Sequence, residues 1–115
     1  MPDSVRIAVA GAGRIGQAHI KRIIGEPEAA LAGIIDPSSQ AKEQAEHLGV
    51  PWFADLEEGL ARTAPDGVVI ATPNRLHVAN GLAAVAAGVP MLLEKPLADE
   101  VADAMRLVEA AEAAQ

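Results

Sequence analysis

The sequence predicts an α/β domain in which helices cover both faces of a doubly wound parallel sheet. Five short apolar runs alternate with five helical segments along the 115 residues. The apolar runs lack polar alternation, which is typical of strands that are buried on both faces of a parallel sheet. Half of the residues are hydrophobic, which suits one compact domain with a single core.

The first three predicted strands are apolar runs bounded by glycine, proline or acidic residues. Pro51 indicates that the third strand is an edge strand or that the proline lies at its first position. Ser38 or Ser39 caps the helix before this strand. The strands are residues 5–10, 31–36 and 50–53, and the helices between them are residues 14–24 and about 39–48. Helical spacing predicts an inward apolar face on the first helix, formed by Gly16, Ile20, Ile23 and Ile24.

The second half of the chain repeats the same alternation of helix and strand. Asp55 and Asn74 are candidate caps for the third and fourth helices. Asp99 caps a last helix, which carries apolar residues on one face: Val101, Met105 and Val108. The predicted strands are residues 67–71 and 90–93, and the helices before them are residues 56–62 and 76–87.

A glycine-rich segment links the first predicted strand to the first predicted helix. Residues 11–16 read Gly-Ala-Gly-Arg-Ile-Gly, and Asp36 follows at the end of the second strand. This context matches the fingerprint of a Rossmann-type dinucleotide-binding fold. The glycines allow a tight turn, approach of a pyrophosphate and close helix packing; the alternative is an ordinary glycine turn with a solvated acid. The cofactor-binding residues predicted here are Gly11, Gly13, Arg14, Ile15, Gly16 and Asp36.

The acid at position 36 bears on the choice between NAD and NADP. Its carboxylate can accept hydrogen bonds from the ribose hydroxyls of NAD and repels the 2′-phosphate of NADP. Ser38, Ser39 and Lys42 follow at positions that could still bind a phosphate. The prediction is therefore NAD, with NADP as the alternative.

Two further polar segments follow predicted strands, at the sheet edge where ligands of such folds bind. The first is residues 71–77, and the second is Glu94-Lys95-Pro96. A lysine at this crevice can donate a proton or a hydrogen bond to a reacting oxygen. The residues alone leave an equal alternative, in which Lys95 and Glu94 form a solvated pair before a helix.

Taken together, these segments resemble the Gfo/Idh/MocA oxidoreductases, the family of glucose-fructose oxidoreductase and inositol dehydrogenase. The resemblance covers the whole chain in order and spacing, and the Glu-Lys-Pro element makes it much more specific than the glycine motif. The residues that carry it are the glycine segment continued to His19, then Asp36, Thr72-Pro73-Asn74, His77 and Glu94-Lys95-Pro96.

The resemblance implies an enzyme that transfers hydride between NAD(P) and a hydroxyl of a sugar, cyclitol or related polyol. It implies that Lys95 is catalytic and that Glu94 and Pro96 shape the loop at the nicotinamide. His19 matches a family position on the first helix and is expected to be a packed or helix-satisfied histidine. The cofactor crevice would be lined by the residues that follow the fourth strand, namely Ala71, Thr72, Pro73, Asn74 and His77.

The same resemblance sets the expected domain organisation. Residues 1–115 would be the NAD(P)-binding Rossmann domain, and the substrate domain of the family would be absent from this chain. We therefore expect no turnover by the chain alone. We also expect self-association into a homo-oligomer, by pairing of sheet edges or by exchange of the final helix, because the sheet edge beside the fifth strand would be left open.

Several function classes are disfavoured by composition. The net charge of −7 without a basic cluster argues against nucleic acid. The absence of Cys excludes thiolate chemistry, and the absence of Tyr argues against a short-chain dehydrogenase. Three histidines on separate predicted helices argue against a metal site. Without a signal peptide or a long apolar run, the expectation is a cytoplasmic protein that contacts no membrane. A dinucleotide-sensing module without chemistry is the alternative function.

Overall fold

The computed structural model describes residues 5–73 and 76–93, in which strands and helices alternate from the first residue to the last. The strands are β1 (Val5–Ala10), β2 (Ala29–Ile35), β3 (Trp52–Phe53), β4 (Gly67–Ile70) and β5 (Met91–Leu93). The helices are α1 (Arg14–Ile24), α2 (Ser39–Leu48), α3 (Leu56–Thr63) and α4 (His77–Ala86). The predicted order of these elements is confirmed.

The five strands form one parallel sheet in the order β3-β2-β1-β4-β5. The chain first builds outward from β1 through β2 to β3, which lies at the edge, one of the two alternatives that Pro51 indicates. It then returns to place β4 on the other side of β1. The neighbouring carboxyl ends of β1 and β4 therefore form the switch point at which ligands bind in open α/β sheets.

Each face of the sheet has its own apolar core, so the doubly wound arrangement is confirmed. On one face, strand residues such as Val9 and Ile34 pack with Ile20 of α1 and Ala41 of α2. On the other face, strand residues pack with side chains of α3 and α4: Ala8, Ala10, Ile35, Val68 and Ile70 with Leu56, Leu60 and Ala84.

A β-bulge interrupts the regular pairing of β2 with β1. Ile7 lies opposite Leu31, but the next residue, Ala8, lies opposite Gly33, so Ala32 has no partner. Beyond the bulge the side-chain alternation changes phase. Leu31 and Ile34, three residues apart, both pack on the α1–α2 face, whereas Ala32 packs on the opposite face.

Two of the helices begin at side-chain caps that the sequence predicts. The hydroxyl of Ser38 accepts a hydrogen bond from the Ala41 amide at 3.2 Å, which selects Ser38 over Ser39 as the cap of α2. The carboxylate of Asp55 accepts one from the Glu58 amide at 3.1 Å at the start of α3. Both caps satisfy amides that would otherwise lack a partner.

Some local expectations were wrong. Ile24 was expected to face inward but is 55% exposed, because α1 buries Ile20 and Ile23 and ends there. α4 begins after Leu76 without a side-chain cap. The expected cap at Asn74 and the last helix after Asp99 lie outside the described residues.

Among the described helices, none has the length and apolar character needed to cross a bilayer.

Candidate dinucleotide-binding site

A cleft of roughly 440 Å³ lies at the carboxyl ends of β1 and β4, at the switch point of the sheet. Eight of the predicted cofactor-binding residues line it, although they come from three separate parts of the chain. They are Gly11, Gly13, Arg14, Ile15, Asp36, Ala71, Thr72 and Pro73. The topology therefore brings together the segments that the sequence analysis singled out.

Gly11 occupies a position that only glycine can fill. Its φ is +98°, a backbone conformation that side chains disfavour. A Cβ atom at Gly11 would also lie 2.5 Å from the carbonyl oxygen of Ala71 and 2.8 Å from the amide nitrogen of Thr72. The tight turn was predicted; the close approach to the loop after β4 was not, because it depends on which strand lies beside β1.

Gly16 lets α1 pack directly on the turn that precedes it. A Cβ atom there would lie 1.7 Å from the carbonyl oxygen of Gly11, and Gly16 itself is buried. Its predicted packing role is confirmed. Gly16 therefore fixes the distance between the start of α1 and the end of β1.

Gly13 is the N-cap residue of α1 and faces open space. A Cβ atom built on it would meet no atom within 4 Å, although the residue lines the cleft. Having no side chain, Gly13 offers no side-chain acceptor to the amides of the first turn, which also contains no acidic residue. The backbone N–H groups and the positive end of the helix dipole at the cleft can therefore bind an anion such as a phosphate.

Asp36 follows β2 and joins two loops through its carboxylate. Oδ2 accepts a hydrogen bond from the Ala12 amide and Oδ1 accepts one from the Ser38 amide, both at 2.8 Å. Partial burial raises the pKa of Asp36, but the hydrogen bonds from Ala12 and Ser38 outweigh it and leave the pKa below its usual value. The side chain therefore carries a negative charge at the rim of the cleft.

The loop after β4 is held in place from α4. His77 is 1% exposed, and its Nε2 donates a hydrogen bond to the carbonyl oxygen of Thr72 at 2.8 Å. The hydroxyl of Thr72 also donates to the Oδ1 of Asn80. His77 was expected to line the crevice; the structure places it beneath the loop. Asn80 was missed, since a polar residue inside a helix gives no signal of a partner.

A second cavity of about 240 Å³ adjoins the cleft on the α3–α4 side of the sheet. Asp36 and Thr72 line both spaces, so they stand between them. Most of the remaining wall is apolar and comes from five elements or loops: Ile35, Pro37, Leu56, Leu76 and Ala83. Asp55 and Glu57 at the start of α3 add carboxylates to it. This cavity could not be predicted from the sequence, because the residues that line it are far apart in the chain.

The remaining predicted site residues do not line the cleft or lie outside the part of the chain that the structure describes. Asn74, Glu94, Lys95 and Pro96 lie outside the described residues. β5 is the strand that leads to Glu94-Lys95-Pro96. It ends with Leu93 opposite Ile70, so its carboxyl end lies on the same side of the sheet as the cleft. His19 is half-buried on α1 and does not line the cleft. Within residues 5–73 and 76–93, no cluster of His, Cys, Asp or Glu could hold a metal ion.

Comparison with known proteins bears directly on this site. Residues 5–115 match the model of the Gfo/Idh/MocA family, described as an oxidoreductase family with an NAD-binding Rossmann fold. The inositol 2-dehydrogenase of Leifsonia xyli subsp. xyli is 40% identical over 110 residues, which are 94% of this chain and 32% of that protein. The inositol 2-dehydrogenase of Corynebacterium glutamicum (strain R) is 38% identical over 95% of this chain and 33% of its own length.

A solved structure gives the same result. The WlbA dehydrogenase from Bordetella pertussis, in complex with NADH and UDP-GlcNAcA, matches with a TM-score of 0.89 at 34% identity. The match covers 96% of this chain and 35% of that chain. The present chain thus spans about a third of the length of each of these relatives. The match over residues 5–115 shows that the chain belongs to the Gfo/Idh/MocA oxidoreductase family and carries its NAD-binding Rossmann fold.

Proposed function

We propose that this chain binds NAD in the cleft and is the cofactor-binding part of an oxidoreductase that acts on a hydroxyl of a sugar, cyclitol or related polyol. Bound NAD would supply the hydride acceptor or donor. The observation that carries the proposal is the uncapped start of α1 at Gly13, which opens into the cleft beside the charged Asp36.

The start of α1 is the proposed pyrophosphate site. Gly13 leaves room for a diphosphate to approach the backbone, and the amides at a helix N-terminus are suited to bind it. Arg14 and Ile15 line the same cleft, and Ile15 is 49% exposed. An exposed isoleucine beside an anion site supports contact with an apolar part of the ligand.

Asp36 is the proposed ribose acceptor and the reason for preferring NAD to NADP. A carboxylate has about four acceptor positions, and the Ala12 and Ser38 amides use two, so hydroxyls can still donate to it. Its negative charge opposes a 2′-phosphate. Lys42, a cation that could offset this charge, lies 5.4 Å from the centre of the Trp52 ring, in a cation–π contact.

The second cavity is the proposed adenine site. Its apolar walls suit a flat aromatic ring, and it adjoins the cleft at Asp36, where the adenosine ribose would lie. Thr72 and Asn80, which are bonded to each other, add polar groups to this wall. The two spaces together therefore accommodate the adenosine diphosphate half of the cofactor.

Isothermal titration with NAD and NADP tests the cofactor assignment. We expect NAD to bind at least about tenfold more tightly than NADP. Gly13→Ala should weaken NAD binding, whereas Gly25→Ala at the far end of α1 should not, since a Cβ there makes only ordinary contacts of 3.6 Å or more. Tighter binding of NADP would overturn the assignment of Asp36, and absence of any binding would overturn the proposed function.

Lys95 is proposed as the acid–base residue of the reaction. Its support is the Glu-Lys-Pro segment and the position of β5, which ends at the same sheet edge as the cleft. A lysine there would hydrogen-bond the reacting oxygen and move its proton. The family relatives that act on inositol support a cyclitol or a similar polyol as substrate.

A single variant separates an enzyme from a binding module. In the full product of the gene, assayed for NADH formation with myo-inositol and a panel of sugars, Lys95→Ala should abolish turnover and leave NAD affinity unchanged. Turnover that survives this change would remove Lys95 from catalysis. Tight NAD binding without turnover of any polyol by the unaltered protein would favour the binding module.

A second copy of the chain is the proposed protein partner. β5 is the outermost strand on its side of the described sheet, and Leu92 on this strand is 54% exposed. Exposed apolar strand edges favour pairing with another copy. Light scattering at high concentration should therefore give a mass above that of the monomer, and a monomer at every concentration would contradict the proposal.

A further inference from the structure

We propose that Asp36 is a positioning residue of the glycine turn, in addition to its proposed role as the acceptor for ribose. In this view the group that selects the cofactor also holds the loop that binds the diphosphate. The part of the proposal that concerns ligand affinity rests on the proposed NAD function, whereas the part that concerns the turn does not.

The turn is tied to the end of β2 through two consecutive amides. Gly11 donates to the carbonyl oxygen of Ile35 at 2.8 Å, and Ala12 donates to the carboxylate of Asp36 at the same distance. The carbonyl oxygen of Ala12 accepts from the side-chain amide of Gln17 at 3.0 Å. Ala12 directly precedes Gly13, the N-cap residue of α1. The orientation of the Ala12 backbone therefore sets where the first amides of α1 point.

Asp36 is itself held firmly enough to act as an anchor. Its amide donates to the carbonyl oxygen of Phe53 at 2.9 Å, and its carbonyl oxygen accepts from the indole N–H of Trp52 at 2.8 Å. Both backbone groups of Asp36, its amide and its carbonyl, are thus bonded to residues of β3. The two carboxylate bonds to Ala12 and Ser38 then select one side-chain rotamer of Asp36. A hydrogen bond to a carboxylate is also stronger than one to a neutral acceptor.

This arrangement couples the choice of cofactor to the position of the turn at the diphosphate. Replacing Asp36 by a neutral residue removes the charge that opposes a 2′-phosphate. The same replacement frees the Ala12 amide and loosens the turn at the diphosphate. We therefore expect such variants to lose affinity for diphosphate ligands even when the ligand carries no ribose hydroxyl for Asp36 to bind.

Amide hydrogen exchange in the ligand-free protein tests the positioning role without any cofactor. We expect the Ala12 amide to exchange at least about tenfold faster in Asp36→Ala than in the unaltered chain, since its acceptor is gone. Asp36→Asn keeps the shape and a single carbonyl acceptor for two amides, so it should give a smaller acceleration at either Ala12 or Ser38. Core amides such as Val69 report whether the fold is intact.

Asp55→Ala is the matched control, because it removes another acid whose carboxylate accepts from a backbone amide. It should accelerate exchange at Glu58 and leave Ala12 unchanged. Equal exchange at Ala12 in the unaltered chain, Asp36→Asn and Asp36→Ala would overturn the positioning role.

A ligand without ribose hydroxyls tests the link to affinity. 2′,3′-Dideoxyadenosine diphosphate should bind Asp36→Ala about fivefold or more weakly than the unaltered chain, because the turn is less preorganised. Loss of a negative charge alone would tighten the binding of this anion, so equal or tighter binding would overturn the coupling. If the unaltered chain binds neither NAD nor this analogue, the proposed function fails, and exchange at Ala12 still decides the positioning role.

Discussion

The starts of α1 and α3 have the same backbone requirement, and only the start of α3 meets it with a side chain. At α3, Asp55 accepts from the Glu58 amide, and Glu57 and Glu58 place two acids in the first turn. At α1, the N-cap is Gly13, which has no side chain, and the first turn holds no acid. Every helix start leaves amides that need acceptors. The protein supplies a side-chain acceptor at α3 and none at α1, which is the difference between a capped helix start and the proposed phosphate site.

The largest expected effect follows from closing the space behind the start of α1. Gly16→Ala places a methyl group 1.7 Å from the carbonyl oxygen of Gly11, where only backbone movement could relieve the overlap. We expect the free energy of unfolding to fall by about 3 kcal/mol or more, measured by urea denaturation. Gly25→Ala on the same helix should be near neutral. An equal effect of the two changes would show that the packing of α1 on the turn is unimportant.

Converting the start of α1 into a copy of the start of α3 should separate stability from binding. Gly13→Asp supplies a capping carboxylate, so the free energy of unfolding should rise by about 0.3 kcal/mol. The same carboxylate would fill and repel the proposed phosphate position, so NAD affinity should fall by about 100-fold, or roughly 2.7 kcal/mol. Calorimetric titration and denaturation of one variant measure both. Unchanged NAD affinity would place the diphosphate elsewhere.

The reverse change at α3 should affect stability and leave the proposed diphosphate position at α1 alone, although Asp55 also lines the second cavity. Asp55→Ala removes the cap and should lower the free energy of unfolding by about 1 kcal/mol. Asp55→Asn retains an oxygen acceptor and should recover most of that loss. The effect of Asp55→Ala on NAD affinity should be much smaller than that of Gly13→Asp; a comparable effect would mean that the two helix starts do not differ in function.

The smallest expected effect is a dependence on pH that comes from the acid beside α1. The pKa of Asp36 is lowered in the folded chain, so its charged form stabilises the fold above its unfolded pKa of about 4. That contribution disappears as the pH falls through the lower folded pKa. The stability difference between the unaltered chain and Asp36→Asn, measured in urea at neutral pH and again in strong acid, should narrow on acidification. A widening difference would contradict the sign.

Local features of the sequence predicted most of the fold, because strand burial, helix spacing and caps depend on neighbouring residues. Asp55 and one of the two serines cap the helices as expected, and Pro51 lies beside an edge strand. Even the glycine roles at Gly11 and Gly16 could be inferred, because each follows from backbone sterics.

Contacts between distant parts of the chain could not be predicted in the same way. That His77 is buried and bonds the Thr72 carbonyl depends on how α4 packs against the sheet, which the spacing of residues does not encode. The exposure of Ile24 depends on where α1 ends relative to α2. The bond from Ala12 to Asp36 joins two loops that only the strand order brings together.

Ala32 has a consequence for the site that lies four residues further on. In an uninterrupted strand, Leu31 and Asp36 would emerge on opposite sides of the sheet, since side chains alternate. The unpaired Ala32 shifts the side-chain alternation by one residue. The Asp36 carboxylate therefore lies on the side of α1 and α2, where it binds the Ala12 amide. Deletion of Ala32 would direct the side chain of Asp36 toward α3 and α4, although every residue of the glycine motif and the acid itself would still be present in the sequence.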